Sequence, residues 1–382
     1  MVSDTDTGAG LYIHVPFCTS VCPYCDFAVT IAGEERRTTW VEGVIREAEM
    51  YSDVELCFDT VYLGGGTPSS LSAEQLGRVV NGLGRHLDVD RQASVFLEAN
   101  PEDVCPQTAA VWRDLGVRFV SLGAQSFDDG DLAFFGRRHS AADARRAVEI
   151  LCEAGFDTVS VDLIYGLEGR SVDHWRRQLE SVLALGVDHL SCYQLTVHEG
   201  TLLGRRVAGG AVKVLGDEGL SELFFLTHEL LAEAGFEAYE VSNFASAPGH
   251  RSKHNQKYWD HTPYLGLGPS AHSFVGGSRW WNRGKVRLWQ RAIAAGERPV
   301  EDEERLSNEQ LTLESLMLGF RTAAGVDLDR LQARFGVDLL AKNDAIVEQL
   351  SAAGHLELVG GRLRPTLAGL AIADTLARSF SF

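Results

Sequence analysis

The chain has 382 residues, 45% of them hydrophobic, and a formal net charge of −18. That supplies the apolar material for one large α/β domain and a smaller one, while the acidic balance repels phosphate backbones and argues against nucleic-acid binding. No apolar run approaches the ~20 residues of a membrane span, the stretch Met1 to Gly10 is polar and acidic rather than a signal peptide, and seven cysteines suit a reducing compartment better than a disulfide framework. The expectation is a cytoplasmic protein.

In chain order, the first predicted strand is "LYIHV" (11–15), followed by the loop "FCTSVCPYCDF" (17–27) and a helical stretch over 34–51. Strands are then predicted at 60–65, 94–100, 118–125, 158–166 and 189–196, separated by helical patterns at 72–86, 104–115, 141–154 and 171–185. Six strands alternating with helices imply a parallel sheet with right-handed crossovers. His14, Gly64 to Thr67, Glu98, Asn100, Gln125 and Asp162 fall at the carboxyl ends of successive strands, where such folds bind ligands.

Residues 236–295 carry a strand-like run, "FEAYEVSNFA", and an aromatic, glycine-rich segment expected to be loop; residues 1–235 precede it as the βα region. A charged break leads into 296–382, a helical tail closing with "HLELVGGRLRPT", two short strands around Gly360 and Gly361. Helices with a small hairpin suggest a winged-helix-like module. Its net charge of about −5 speaks for a structural or partner-docking role and against DNA.

Cys18, Cys22 and Cys25 form a Cx3Cx2C triplet, which can grip three irons of a four-iron cluster and leave the fourth without a protein ligand. A structural zinc needs a fourth protein ligand and more often uses Cx2C pairs; His14 is the neighbour that could serve. A disulfide would strand one thiol. Cys57, Cys105, Cys152 and Cys192 sit among apolar neighbours and are expected to be small buried hydrophobes. "GGGTPS" lets backbone approach a small ligand at a helix start, although a tight turn explains it equally well. Glu98 in "LEANP" is a carboxylate on an apolar strand, costly unless it meets a donor or a cation. "HNQKYW" and "YLGLGPSAHSF" place His254, Tyr258, Trp259 and His272 among flat aromatics, which suit a porphyrin or, equally, a packed junction in which the rings are core.

Taken in order, "YIHVPFCTSVCPYCDF", "GGGTPS", "LEANP", "GAQSF", "VDLIYGLEG", "CYQLTVHEGT", "HNQKYW" and "YLGLGPSAHSF" resemble the HemN-like group of radical S-adenosylmethionine proteins, from residue 11 to the C-terminus. The resemblance implies a partial (β/α)6 radical-SAM barrel with a C-terminal helical, winged-helix-like domain. It implies a [4Fe-4S] cluster on Cys18, Cys22 and Cys25, whose open iron is chelated by the methionyl part of S-adenosyl-L-methionine. It assigns nucleotide contacts to Tyr12, Tyr24, Gly65, Gly66, Thr67, Glu98, Gln125, Arg137, Asp162 and His272, with Thr196 in a less specific segment, and places His254 in an HNxxYW motif proposed to bind haem.

Within the group the chain is similar to the HemW-type haem chaperones, which pass haem to haem-requiring respiratory proteins; a homodimer is one assembly this allows. Phe27 stands where the coproporphyrinogen oxidase pattern has a further cysteine, and only 17 residues precede Cys18 where the oxidase carries a sizeable arm. The competing expectations are that oxidase activity itself, or a HemN-like methyltransferase. At "TVHEGT" the chain departs from its relatives, with His198 and Glu199 where Glu-Pro is common, and the resemblance assigns that turn no role.

Overall fold

The computed structural model describes residues 8–381, so most of the polar opening stretch Met1 to Gly10 lies outside the described residues. Six parallel strands form its centre: β1 (Ala9–Val15), β2 (Cys57–Gly65), β3 (Asp88–Ala99), β4 (Val117–Gln125), β5 (Thr158–Tyr165) and β6 (His189–Gln194), adjacent in that order. Between them run α1 (Glu34–Met50), α2 (Ala73–His86), α3 (Pro106–Asp114), α4 (Asp129–Phe134), α5 (Ala141–Ala154) and α6 (Val172–Leu183). Only the short α4 was not expected. Hydroxyl caps start three of these helices where the sequence changes period: Ser72 and Gln75 form a capping box on α2, Ser140 and Asp143 another on α5, and Ser171 caps α6.

The sheet does not close. On the β6 side it continues through the short β7 (Glu237–Ala238) and β8 (Asn243–Ala245), reached after α7 (Leu202–Ala208) and α8 (Asp217–Glu233). On the β1 side lie β9 (Tyr264–Leu267), β10 (His272–Val275), β11 (Ser278–Asn282) and β12 (Val300–Arg305). The segment expected to be loop therefore supplies helix α9 (Lys253–Trp259) and three strands, β9 to β11. The architecture is the α/β partial barrel of six βα units, extended at both edges.

Period-two alternation sorts the barrel interior into layers. The lower layer is aromatic: Tyr62, Phe96, Phe119 and His189 follow one another across four strands, with neighbouring ring centroids 5.0–5.7 Å apart. Two residues further along, Gly64, Glu98, Ser121 and Ser191 line a polar upper layer beside Asp162. Helix α9 closes the lower end, held by Lys257 and Lys253, which pair with Asp59 on β2 at 2.7 and 2.9 Å.

A second apolar cluster, Leu316 to Phe380, belongs to the tail, where α11 (Asn308–Gly319), α12 (Leu328–Phe335) and α13 (Leu339–Ala352) follow α10 (Val286–Ala294) and pack against a three-stranded sheet. Its hairpin turns at Gly360 and Gly361, both at positive φ (59° and 74°), as a two-residue turn demands. Among the described residues, no helix is long and apolar enough to cross a membrane. The four scattered cysteines are not alike, contrary to expectation: Cys192 is buried, but Cys57 is exposed at the start of β2 and the half-buried Cys105 caps α3 with its sulfur.

Glu47 fastens the β9–β11 extension to the barrel. This carboxylate of α1, 0% exposed, accepts hydrogen bonds from Gly268 N (2.8 Å), Trp289 Nε1 (2.9 Å) and Asn282 Nδ2 (2.5 Å). A Glu47→Gln variant keeps the shape but turns one acceptor oxygen into a donor facing donors. It is expected to lose about 1–3 kcal/mol of stability, measured as a lower urea midpoint with an unchanged slope.

Candidate functional site

The carboxyl ends of β1 to β6 surround a cavity of about 410 Å³, a size that suits a small-molecule ligand. Its wall includes Cys18, Cys22, Cys25, Tyr24, Gly65, Gly66, Thr67, Glu98, Gln125, Arg137, Asp162 and Thr196. Twelve positions scattered over 179 residues of sequence, from 18 to 196, thus meet in one place.

The cysteine loop is fixed at its base. Gly66 N donates to Val15 O (2.8 Å) and Thr67 N to Phe17 O (2.7 Å), so the end of β2 runs directly beneath the entry to the loop. A Cβ on Gly66 would lie 2.7 Å from Val15 O and 2.8 Å from Phe17 O, both backbone atoms; Gly65 has φ +106° and faces the His14 ring. Only glycine permits this approach. His14 binds the far end of the loop, its Nε2 2.9 Å from Ala28 O and its Nδ1 3.1 Å from Tyr12 OH. With both ring nitrogens engaged, it does not serve as a fourth metal ligand.

Polar groups close on the thiols. Thr67 Oγ1 donates to Cys18 Sγ at 3.5 Å, Asn100 Nδ2 donates to Thr67 Oγ1 at 3.3 Å, and Arg137 donates to Asn100 Oδ1 at 2.7 Å, Gly123 O at 2.8 Å and Cys22 Sγ at 3.6 Å. His139 steadies the Arg137 segment through Ala124 O (3.1 Å) and Glu102 (3.3 Å). Burial pushes the Cys18 thiol up and the Cys25 thiol up to about 11, so these thiolates need a metal's positive charge beside them.

Among the described residues, Glu98 meets no cation. Its carboxylate accepts from Tyr62 OH and Gly65 N, each at 2.9 Å, tying the aromatic layer to the glycine run. Burial raises it to about 7, and burial likewise raises Asp162 to about 6, although Ser191 and Ser121 donate to it. Gln125 has φ +69°, a conformation costly for a residue with a Cβ and one that clusters at functional sites.

Three expected residues lie elsewhere. Tyr12 packs on Tyr62 below the cavity, and His272 is exposed on β10, stacked with Trp281. His254 belongs to the barrel floor: it is 1% exposed, bonded to Thr60 Oγ1 and Tyr258 OH (2.9 Å each), and packed 5.0 Å from Tyr62. Burial lowers its pKa to about 3. Of the two sequence readings of this segment, the core reading describes its place. Conversely, Ser121, Gly123, Arg138, Tyr193 and His198 line the cavity without having been singled out for it. Period-two counting from Glu98 and Asp162 is the signal that finds Ser121.

The residues fit an iron–sulfur cluster and a small zwitterion beside it. Three thiols share one opening, hydroxyl and guanidinium groups donate to two of the sulfurs, and the buried Arg137 Nε has no hydrogen-bond partner among the described residues. Such a site on a partial parallel barrel defines a radical SAM protein, and residues 12–182 match the model of the Radical SAM superfamily, residues 306–372 that of the HemN C-terminal domain. Curated relatives include the "Heme chaperone HemW" of Mycobacterium tuberculosis (strain ATCC 25618 / H37Rv), 37% identical over 97% of this chain and 94% of that protein. The "Heme chaperone HemW" of Lactococcus lactis subsp. lactis is 34% identical over 85% of this chain and 84% of that one. "Radical S-adenosyl methionine domain-containing protein 1, mitochondrial" of Mus musculus is 34% identical over 97% and 86%. The chain belongs to the HemW family. Its fold is that of the coproporphyrinogen III oxidase HemN from Escherichia coli, with a TM-score of 0.83 at 18% identity, covering 97% of this chain and 89% of that one.

The raised carboxyl of Glu98 makes stability depend on pH. Its ordinary value is 4.5 and its folded value about 7, so between these the folded state holds a proton the unfolded chain has lost. That stabilisation is complete below about pH 4.5 and fades as the pH rises towards 7. Glu98→Gln is expected to flatten this part of the pH profile of the urea midpoint relative to the parent chain.

Proposed function

We propose that this protein is a cytoplasmic haem chaperone that carries a [4Fe-4S] cluster and S-adenosyl-L-methionine and hands haem to haem-dependent respiratory proteins. The observation that carries the reading is the family membership: relatives matched over nearly the whole chain are named haem chaperones. Cys18, Cys22 and Cys25 would hold the cluster. Gly65, Gly66, Thr67, Glu98, Gln125, Arg137, Asp162, Tyr24 and Thr196 surround the space beside it and would hold the nucleotide. When bound, the cluster supplies an electron and an iron open to the nucleotide's amino and carboxylate groups.

The chain's own residues do the positioning. Arg137 is a half-buried cation beside Cys22, suited to thiolate charge or to a carboxylate. Glu98 and Asp162 add acceptors to the same cavity wall, where a ligand's ammonium or ribose hydroxyls would be received. Phe27, 63% exposed at the cavity edge, offers an apolar face where the oxidase pattern has a cysteine.

Haem added to the anaerobically reconstituted protein is expected to bind stoichiometrically and give a Soret band, with no conversion of coproporphyrinogen III in the presence of reductant and S-adenosylmethionine. Absence of haem binding, or catalytic formation of protoporphyrinogen, would contradict the proposal.

A further inference from the structure

Both nitrogens of His254 are engaged inside the barrel floor, so an axial ligand for haem has to come from somewhere else. At the cavity mouth one imidazole is presented for it. His198 lines the cavity, its side chain is 45% exposed, and its Nδ1 lies 3.3 Å from Asp26 Oδ2. Its Nε2 has no partner among the described residues. A carboxylate beside one ring nitrogen favours the orientation that turns the other outward, the arrangement that metal-ligating histidines use. A contact this exposed adds little to stability, so it needs no place in the fold's energetics.

The backbone beneath the ring is rigid. His198 O accepts from Thr201 N (3.1 Å) and Thr201 Oγ1 (2.7 Å), and the helix that follows is tied to the cysteine loop by Leu203 N donating to Pro23 O (2.7 Å). A Cβ on Gly204 would come within 2.1 Å of His198 O, so the turn packs tightly on that helix. The ring is thus mounted on the same body as the cluster ligands.

Around it the rim matches a flat, apolar, dianionic disc. Val21 (52% exposed), Phe27 (63%) and Tyr193 (42%) present apolar surface along the cavity edge. Arg138, exposed on the same rim, makes no salt bridge among the described residues and is free to meet a propionate. The cavity itself, at about 410 Å³, is occupied when cluster and nucleotide are bound, which leaves the mouth for the larger cargo.

Resting on the haem-chaperone reading, we propose that His198, oriented by Asp26, ligates haem iron through Nε2 at the mouth of the cavity, with Phe27 and Val21 under the macrocycle and Arg138 on a propionate. An exposed single ligand suits a cargo that must leave.

The test titrates haem into cluster-reconstituted protein and follows the Soret band and the ferric haem EPR signal in the parent chain, in His198→Gly and in His198→Gly with imidazole. The expected result is haem binding with a histidine-ligated signature in the parent, about tenfold or greater weakening in the variant, and restoration of the signature by imidazole. The cluster's own absorption should be unchanged, because the turn is held by backbone and Thr201 contacts. Parent-like binding in His198→Gly would overturn this ligand while leaving the chaperone reading intact. Loss that imidazole does not restore would overturn it as well. Absence of haem binding by the parent would remove both.

Discussion

The structure depends on one close crossing, where the glycine run at the end of β2 passes under the chain as it leaves β1 for the cysteine loop. Two backbone hydrogen bonds, Gly66 N to Val15 O and Thr67 N to Phe17 O, hold the strands together at that point, and no side chain fits between them. The consequence reaches outward through a relay of polar groups. Thr67 contacts Cys18, Asn100 contacts Thr67, and Arg137 joins Asn100 to Cys22. The loops after β2, β3 and β4 therefore share responsibility for the position of the thiols. Buried networks of this kind are costly when half satisfied and rigid when complete, which is what a metal cluster's ligand set requires.

Below the crossing, the barrel interior changes character within two residues along each strand. Tyr62, Phe96, Phe119 and His189 make an aromatic floor, sealed by His254 from α9 and by Tyr239, whose hydroxyl lies 2.8 Å from His189 Nε2. Above it stand Glu98, Ser121 and Asp162. The link between the layers from Tyr62 OH to Glu98 means the floor helps to aim the carboxylate that in turn braces Gly65. The aromatic HNQKYW segment thus acts on the site through packing from beneath it.

Much of this was legible in the sequence because the signals are local. Strand and helix periodicity gave the six βα units, and the triplet spacing put the three thiols of Cys18, Cys22 and Cys25 on one loop. The misplaced residues are those whose surroundings are set by distant chain. His254 lies 194 residues from its partner Thr60, and nothing in "HNQKYW" indicates which end of the barrel the helix closes. Glu47 carries no local signal in the sequence, because its partners are 221 to 242 residues away. His198 stood out in sequence only as a departure from pattern; the turn and Asp26 that give it a direction are visible only in the fold.

The central claim is that three thiols held by this crossing leave one iron of a cube exposed to the cavity. Mössbauer spectra of ⁵⁷Fe-reconstituted protein, recorded with and without S-adenosylmethionine, measure it most directly. One iron site should separate from the other three and shift when the nucleotide is added. Four irons indifferent to the nucleotide, or iron held without a cubane signature, would contradict the account.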